Sequence, residues 1–188
     1  MTAPFTVLHV CTGNICRSPM SERILDGLTG DDVLNHGSGI SGYHQGDPME
    51  PEAAHELDER GFESRGHRAR HIDRAQTESA DLILVATTAH REYIAERFAE
   101  AVGKTFTVRQ FGRIAADVLA GAAAAELPVG DAAIRGKALV ALAAERRDDY
   151  PEIELADPWG LGRAVFSQVA DQLEDALEPV AEALDGGE

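Results

Sequence analysis

Cysteine, aromatic residues and positive charge are all scarce in this chain of 188 residues. Two cysteines, Cys11 and Cys16, are too few for a disulfide-built secreted scaffold, and a core of this size needs no such staples. A reducing, cytoplasmic setting is expected. Lys and Arg number 17 against 33 Asp and Glu, a formal net charge of -16, which repels a phosphate backbone and makes nucleic acid and anionic membrane poor partners. No apolar run reaches the roughly 18 to 20 residues of a spanning helix. Met1 to Val10 also lacks the basic and long apolar regions of a cleavable signal. An anionic substrate would have to be held by a local positive field against acidic surroundings.

What is present suits a globular α/β protein. Hydrophobic residues make up 44% and charged residues 27%, a balance that supports one domain over 1–188. Phe5 to Val10 reads as a buried strand, and Ser18-Pro19 as a helix start with Ser18 as N-cap and the helix running to about Leu28. Val33 to Ser38 is a second strand, Gly39 to Pro51 a long loop, and Pro51 to Arg60 a helix closed by Gly61. Asp81 to Ala86 is the clearest central strand, followed by a helix over Ala89 to Ala101 and a strand at Thr105 to Val108. Ile114 to Arg147 is Ala-rich and helical by propensity, including the Ala run at 122–125, with a break near Leu127 to Gly130. A last helix spans about Arg163 to Leu184, with Pro179 as a kink or break. Strands alternating with helices indicate a doubly wound sheet.

Ligands of such sheets bind beyond the carboxyl ends of the strands, and Cys11-Thr12-Gly13-Asn14-Ile15-Cys16-Arg17-Ser18 lies there. Five residues between a cysteine and an arginine let a loop curl once around a tetrahedral anion, and Gly13 and Asn14 tolerate the positive φ angles of such a curl. Backbone N–H groups of residues 12–18 and the following helix start then face a phosphate, and the Arg17 guanidinium grips two of its oxygens. The same field favours the Cys11 thiolate as nucleophile, with Ser18 donating a hydrogen bond to the sulfur. A nucleotide-binding P-loop fits poorly, because no Lys precedes a Ser or Thr here. Expelling a leaving oxygen needs a proton. Asp157-Pro158-Trp159-Gly160 offers a carboxyl in a stiff turn beside an apolar wall, with Asp47-Pro48 as a rival on the same logic.

The run Val7 to Glu22 resembles the signature of low-molecular-weight protein tyrosine phosphatases, and the likeness resumes at Asp157 to Gly160. The resemblance implies a four-stranded parallel sheet flanked by helices on both faces, no metal or organic cofactor, and a phosphotyrosine-bearing protein as substrate. It selects Asp157 as the general acid, sets Tyr43 and Trp159 as walls of the slot above Cys11, and places Ser38 and His67 as hydrogen-bond partners of Asn14. It further implies that Cys16 can form a reversible disulfide with Cys11; an ordinary packed thiol is the other reading. A monomer is expected. The chain departs from the family's minimal members in a longer helical segment at about 112–156.

Three other functions remain to be weighed. Protein-arginine phosphatases resemble this loop but carry Thr where Ile15 stands, and a branched apolar residue there favours phosphotyrosine. Thiol-dependent arsenate reductases need further cysteines downstream, and none follows Cys16. A non-catalytic phosphoprotein-binding module would use the loop to hold an anion only, although Cys11, Arg17 and Asp157 together favour catalysis. His67 and His71 have helical i, i+4 spacing but no third ligand to make a metal site.

Overall fold

The computed structural model describes residues 3–121 and 127–185; the alanine run at 122–125 lies outside the described residues. Strand β1 (Phe5–Cys11) alternates its side chains between two cores. Phe5, Val7 and Cys11 face one, and Leu8 and Val10 the other. Strands β2 (Val33–Gly39), β3 (Leu82–Val85) and β4 (Thr105–Thr107) complete a four-stranded parallel sheet of order β2-β1-β3-β4. β1 and β3 are central and apolar on both faces, the pattern of a sheet covered on both sides.

On the first face lie α1 (Arg17–Leu28), α2 (Pro51–Glu59), α5 (Val108–Ala120), α6 (Ala132–Arg146) and α7 (Arg163–Leu184). On the second lie α4 (Thr88–Arg97) and a 3₁₀ segment, Ala99–Lys104, with short α3 (Arg74–Ser79) preceding β3. Helix α7 buries Phe166, Val169, Ala170, Leu173, Ala176, Leu177, Val180, Ala181 and Leu184, a stripe at i, i+3, i+4 spacing. It crosses α5 so closely that a Cβ on Gly112 would lie 2.3 Å from the Ala176 carbonyl oxygen. Phe5 likewise lies under α6, its ring 2.5 Å from where a Cβ on Gly136 would sit.

Several boundaries differ from the sequence reading. The helix through Pro179 is unbroken: proline forfeits one backbone hydrogen bond, while the apolar stripe on both sides of it keeps its burial. The expected helix Ala89 to Ala101 ends at Arg97, and its last part is 3₁₀. Among the described residues, the segment at about 112–156 holds most of α5 and the whole of α6, followed by a 3₁₀ turn (Arg147–Asp149) and an irregular strap, 150–162. Residues 67–71 form no helix, so the i, i+4 spacing of His67 and His71 does not place them on one helical face. No helix of the described residues is long and apolar enough to cross a membrane.

Candidate active site

Beyond Cys11 the chain turns through residues 12–16 into α1. Asn14 adopts a left-handed backbone, φ 55°, which asparagine tolerates. Gly13, expected to share that conformation, has no positive φ; its smallness serves packing, since a Cβ there would lie 2.8 Å from the His44 ring. Gly39 meets the same loop from β2, where a Cβ would lie 2.7 Å from the Thr12 carbonyl oxygen.

Asn14 ties the loop together. Its side-chain amide donates to Ser18 Oγ at 2.9 Å and its Oδ1 accepts from the Arg70 N–H at 2.9 Å. Its carbonyl accepts from His67 Nε2 at 2.7 Å. Burial, aided by the charges of Arg23, Arg70 and Arg68, holds His67 below the ordinary histidine range, so the neutral ring serves as donor. Ser38 departs from expectation. Its hydroxyl is buried without a partner, and its contribution is a carbonyl that faces Ser18 Oγ at 3.4 Å. The Asn14 amide bonds Ser18 and the Arg70 N–H instead of the Ser38 hydroxyl.

Glu22 lies behind Asn14. A Cβ on Gly37 would come within 2.4 Å of Glu22 Oε2 and 2.6 Å of Asn14 Nδ2, so glycine there makes room for both. Oε2 is buried and unpartnered, and burial lifts the Glu22 carboxyl from 4.5 to about 7, with Arg23 and Arg70 pulling the other way. A carboxyl raised on folding binds more protons folded than unfolded, so stability falls as pH rises from 4.5 to about 7, by about 3 kcal/mol in all. Glu22→Gln is expected to remove that fall and to be the more stable protein at about pH 8. Urea midpoints of both proteins at acid and alkaline pH check it, and parallel pH profiles would refute it.

Cys11 is 2% exposed, with Sγ 3.0 Å from Ser18 Oγ. The Ser18 hydroxyl accepts from the Asn14 amide, and its proton can turn to the Cys11 sulfur or to the Ser38 carbonyl. Ser18 is therefore not the helix cap: α1 begins at Arg17, and no side chain caps it. Among the described residues nothing accepts from the backbone N–H groups of Gly13 to Ser18, and Arg17 Nε is buried without a partner. Unclaimed donors at an uncapped helix start, beside a guanidinium, make a cradle for an oxyanion. Burial, with Cys11, Glu50 and Asp157 nearby, pushes the Cys16 thiol up, so Cys16 stays protonated; both cysteines are free.

The carboxylate expected from sequence reaches this cradle. Arg17 Nη2 donates to Asp157 Oδ2 at 2.6 Å and to Thr12 Oγ1 at 3.4 Å, while Nη1 donates to the Leu155 carbonyl at 3.3 Å. The strap carrying Asp157 is pinned to the start of α4. Glu154 Oε1 accepts from Thr88 N at 3.0 Å and from the Thr88 hydroxyl, and Leu155 N–H donates to the Ala86 carbonyl at 2.9 Å. Asp47 instead accepts from His44 Nδ1 at 2.9 Å and does not line the cleft.

The cleft, about 260 Å³, is lined by Cys11, Arg17 and Asp157 at its floor and by Ile15, Tyr43 and Trp159 above. Tyr43 is 87% exposed and Trp159 59%. His44 stands between them, its ring centroid 4.9 Å from Tyr43 and 6.2 Å from Trp159, both edge-on. The wall is thus three rings, of which sequence reading found two. His90 was also missed: it is buried at the foot of α4 and bonds Thr12 Oγ1 from Nε2 at 3.0 Å. Thr87-x-x-His90 has the spacing of a capping box, a signal that pointed to a helix start but not to the site. Among the described residues, no cluster of His, Cys, Asp and Glu could hold a metal ion.

A sequence model of the family described as low molecular weight phosphotyrosine protein phosphatase matches residues 6–121. The chain belongs to this family. The protein-arginine-phosphatase of Geobacillus stearothermophilus is 37% identical over 110 residues, covering 57% of this chain and 72% of its own. The probable low molecular weight protein-tyrosine-phosphatase EpsP of Ralstonia nicotianae is 38% identical over 103 residues, covering 54% of this chain and 68% of its own. Solved structures agree in fold. YwlE arginine phosphatase from G. stearothermophilus superposes with a TM-score of 0.70 at 28% identity, over 95% of this chain and 92% of its own. Tyrosine phosphatase Wzb of Escherichia coli, in complex with sulphate, does so with 0.70 at 25% identity, over 96% and 99%. The protein is thus a hydrolase of the phosphoprotein phosphatase class. Cys11 and Arg17 fall inside the matched span and Asp157 outside it, so its contact with Arg17 is what joins Asp157 to the site.

Proposed function

We propose that the protein hydrolyses phosphotyrosine in two steps at Cys11, Arg17 and Asp157, with the loop of Thr12, Gly13, Asn14, Ile15, Cys16 and Ser18 as phosphate cradle. The observation that carries this reading is the run of unclaimed backbone N–H donors beside a buried thiol in hydrogen-bond contact with Ser18 Oγ. In the first step the Cys11 thiolate attacks phosphorus in line. An S–P bond forms, the P–O bond to the leaving group breaks, and Asp157 gives its proton to the departing oxygen. Arg17 and the loop N–H groups hold the equatorial oxygens, where charge accumulates. In the second step water attacks the cysteinyl phosphate. Its proton passes to the Asp157 carboxylate, the S–P bond breaks, and Ser18 stabilises the departing thiolate.

Tyr43 and Trp159, with His44 between them, suit a planar phenyl ester, and two faces of exposed aromatic surface near a cleft mouth favour stacking. Ile15, 8% exposed on the cleft lining, offers apolar surface to the ring and no hydrogen bond to a guanidino group. Relatives of both specificities match this chain about equally in identity, so the wall and Ile15 support the choice. The test is phosphate release from matched phosphotyrosine, phosphoarginine and phosphoserine peptides, with Cys11→Ser as the blank. Phosphotyrosine is expected to be turned over fastest, and Ile15→Thr to shift the phosphoarginine-to-phosphotyrosine ratio upward by roughly tenfold, the scale of one hydrogen bond gained. A wild-type preference for phosphoarginine would reverse the assignment, and binding without release from any peptide would leave only a phosphoprotein-binding module.

A further inference from the structure

We infer that His90 is a positioning residue for phosphoryl transfer: from the foot of α4 it donates to Thr12 Oγ1 and thereby turns the Thr12 hydroxyl proton into the cleft, toward the phosphoryl oxygens. The inference rests on the phosphatase reading above and adds a residue to it.

The tautomer follows from hydrogen-bond partners. The Thr87 backbone N–H can only donate, and it donates to His90 Nδ1 at 3.1 Å. Nδ1 is therefore the unprotonated nitrogen of a neutral ring, and Nε2 carries the hydrogen. Burial, with the charge of Arg17, pulls His90 down to about 4, so the ring is neutral wherever the enzyme works. Nε2 lies 3.0 Å from Thr12 Oγ1, which must then accept. Thr12 Oγ1 also faces Arg17 Nη2 at 3.4 Å, a second donor. With its oxygen taken by two donors, the hydroxyl has only its proton left to offer, and Thr12 is exposed on the lining of the cleft that holds Cys11, Arg17 and Asp157. His90 is fixed in turn by the capping box it forms with Thr87, on the same turn to which Glu154 clips the Asp157 strap. One rigid helix start thus sets both the Thr12 donor and the approach of the acid.

The test is a double-mutant cycle of His90→Ala and Thr12→Val with a phosphotyrosine peptide. Each single variant is expected to lose roughly ten- to a hundredfold in kcat, with KM within about threefold, as for a donor used mainly in the transition state. The double variant should lose no more than either single one. Multiplying losses would overturn the proposal, because His90 would then act on the fold rather than through Thr12. Should His90→Ala fail to fold, nitrogen NMR of the wild-type imidazole decides. A neutral ring protonated on Nε2 across the working pH range is expected, and the opposite tautomer or a charged ring overturns it. Wild-type protein that releases no phosphate sinks the phosphatase reading separately. The cycle is then read as the dissociation constant of inorganic phosphate, with the same non-additivity expected.

Discussion

Cys11→Ser is expected to lower turnover by at least about 10⁴-fold while leaving the affinity for inorganic phosphate within a few-fold of wild type. The two halves of that expectation have separate causes. On the proposed reading phosphate is held by the loop N–H groups and Arg17, which the substitution does not touch. Turnover needs an anionic nucleophile, and a serine hydroxyl needs a base to become one. The neighbour of the sulfur is Ser18 Oγ, a hydroxyl already bonded to the Asn14 amide and no general base. The nearby histidines have partners elsewhere: His44, on the cleft wall, bonds Asp47, His67 the Asn14 carbonyl, His90 Thr12, and His9 Ser21 and Asn35 in the core. On the proposed reading the site is built for a thiol, and a serine hydroxyl at residue 11 would face the Ser18 hydroxyl rather than a base. Single-turnover phosphate release and competition by inorganic phosphate check both halves. A serine variant with wild-type turnover would show that the phosphoryl group does not pass through residue 11.

The parts legible in the sequence were those with a local cause. A β-branched run ending at Cys11, a loop with Asn14, and a helix from Arg17 follow one another between Phe5 and Leu28, and the strand–helix alternation carries the rest of the sheet. Turn shape offered Asp157 and Asp47 alike, and only the family resemblance chose between them; nothing local says that residue 157 returns to residue 17. Other features were hidden by competition between rules. Ser18-Pro19 has the composition of a helix start, yet α1 begins one residue before Ser18, because an anion cradle needs those N–H groups left uncapped. Asp73-x-x-Gln76 and Thr87-x-x-His90 are both capping boxes written in the sequence, and reading them as such would have found α3 and the true start of α4. The role of His44 could not be read in this way, since it depends on two rings and a glycine that only the fold assembles.

Asp157→Ala should separate substrates by leaving group. For an unactivated phenyl ester such as phosphotyrosine the expected loss in kcat is roughly 10²- to 10³-fold, whereas a nitrophenyl phosphate, whose oxygen departs without a proton, should lose less than about tenfold in the first step. The structure supplies the reason that one carboxyl can act as acid and then as base. Asp157 Oδ2 shares Arg17 Nη2 at 2.6 Å, its side chain 53% exposed against 5% for the arginine. On the proposed mechanism a phosphoryl group entering the cradle competes for that same N–H, which frees a half-exposed carboxyl to meet first the leaving oxygen and then the attacking water. Trp159 N–H donates to Oδ1 at 3.3 Å, which ties the carboxyl to its own turn at the cleft. Pre-steady-state kinetics with the two esters decide the matter. Equal losses for both would mean that Asp157 acts by holding Arg17 in place, and the proton would then have to come from solvent.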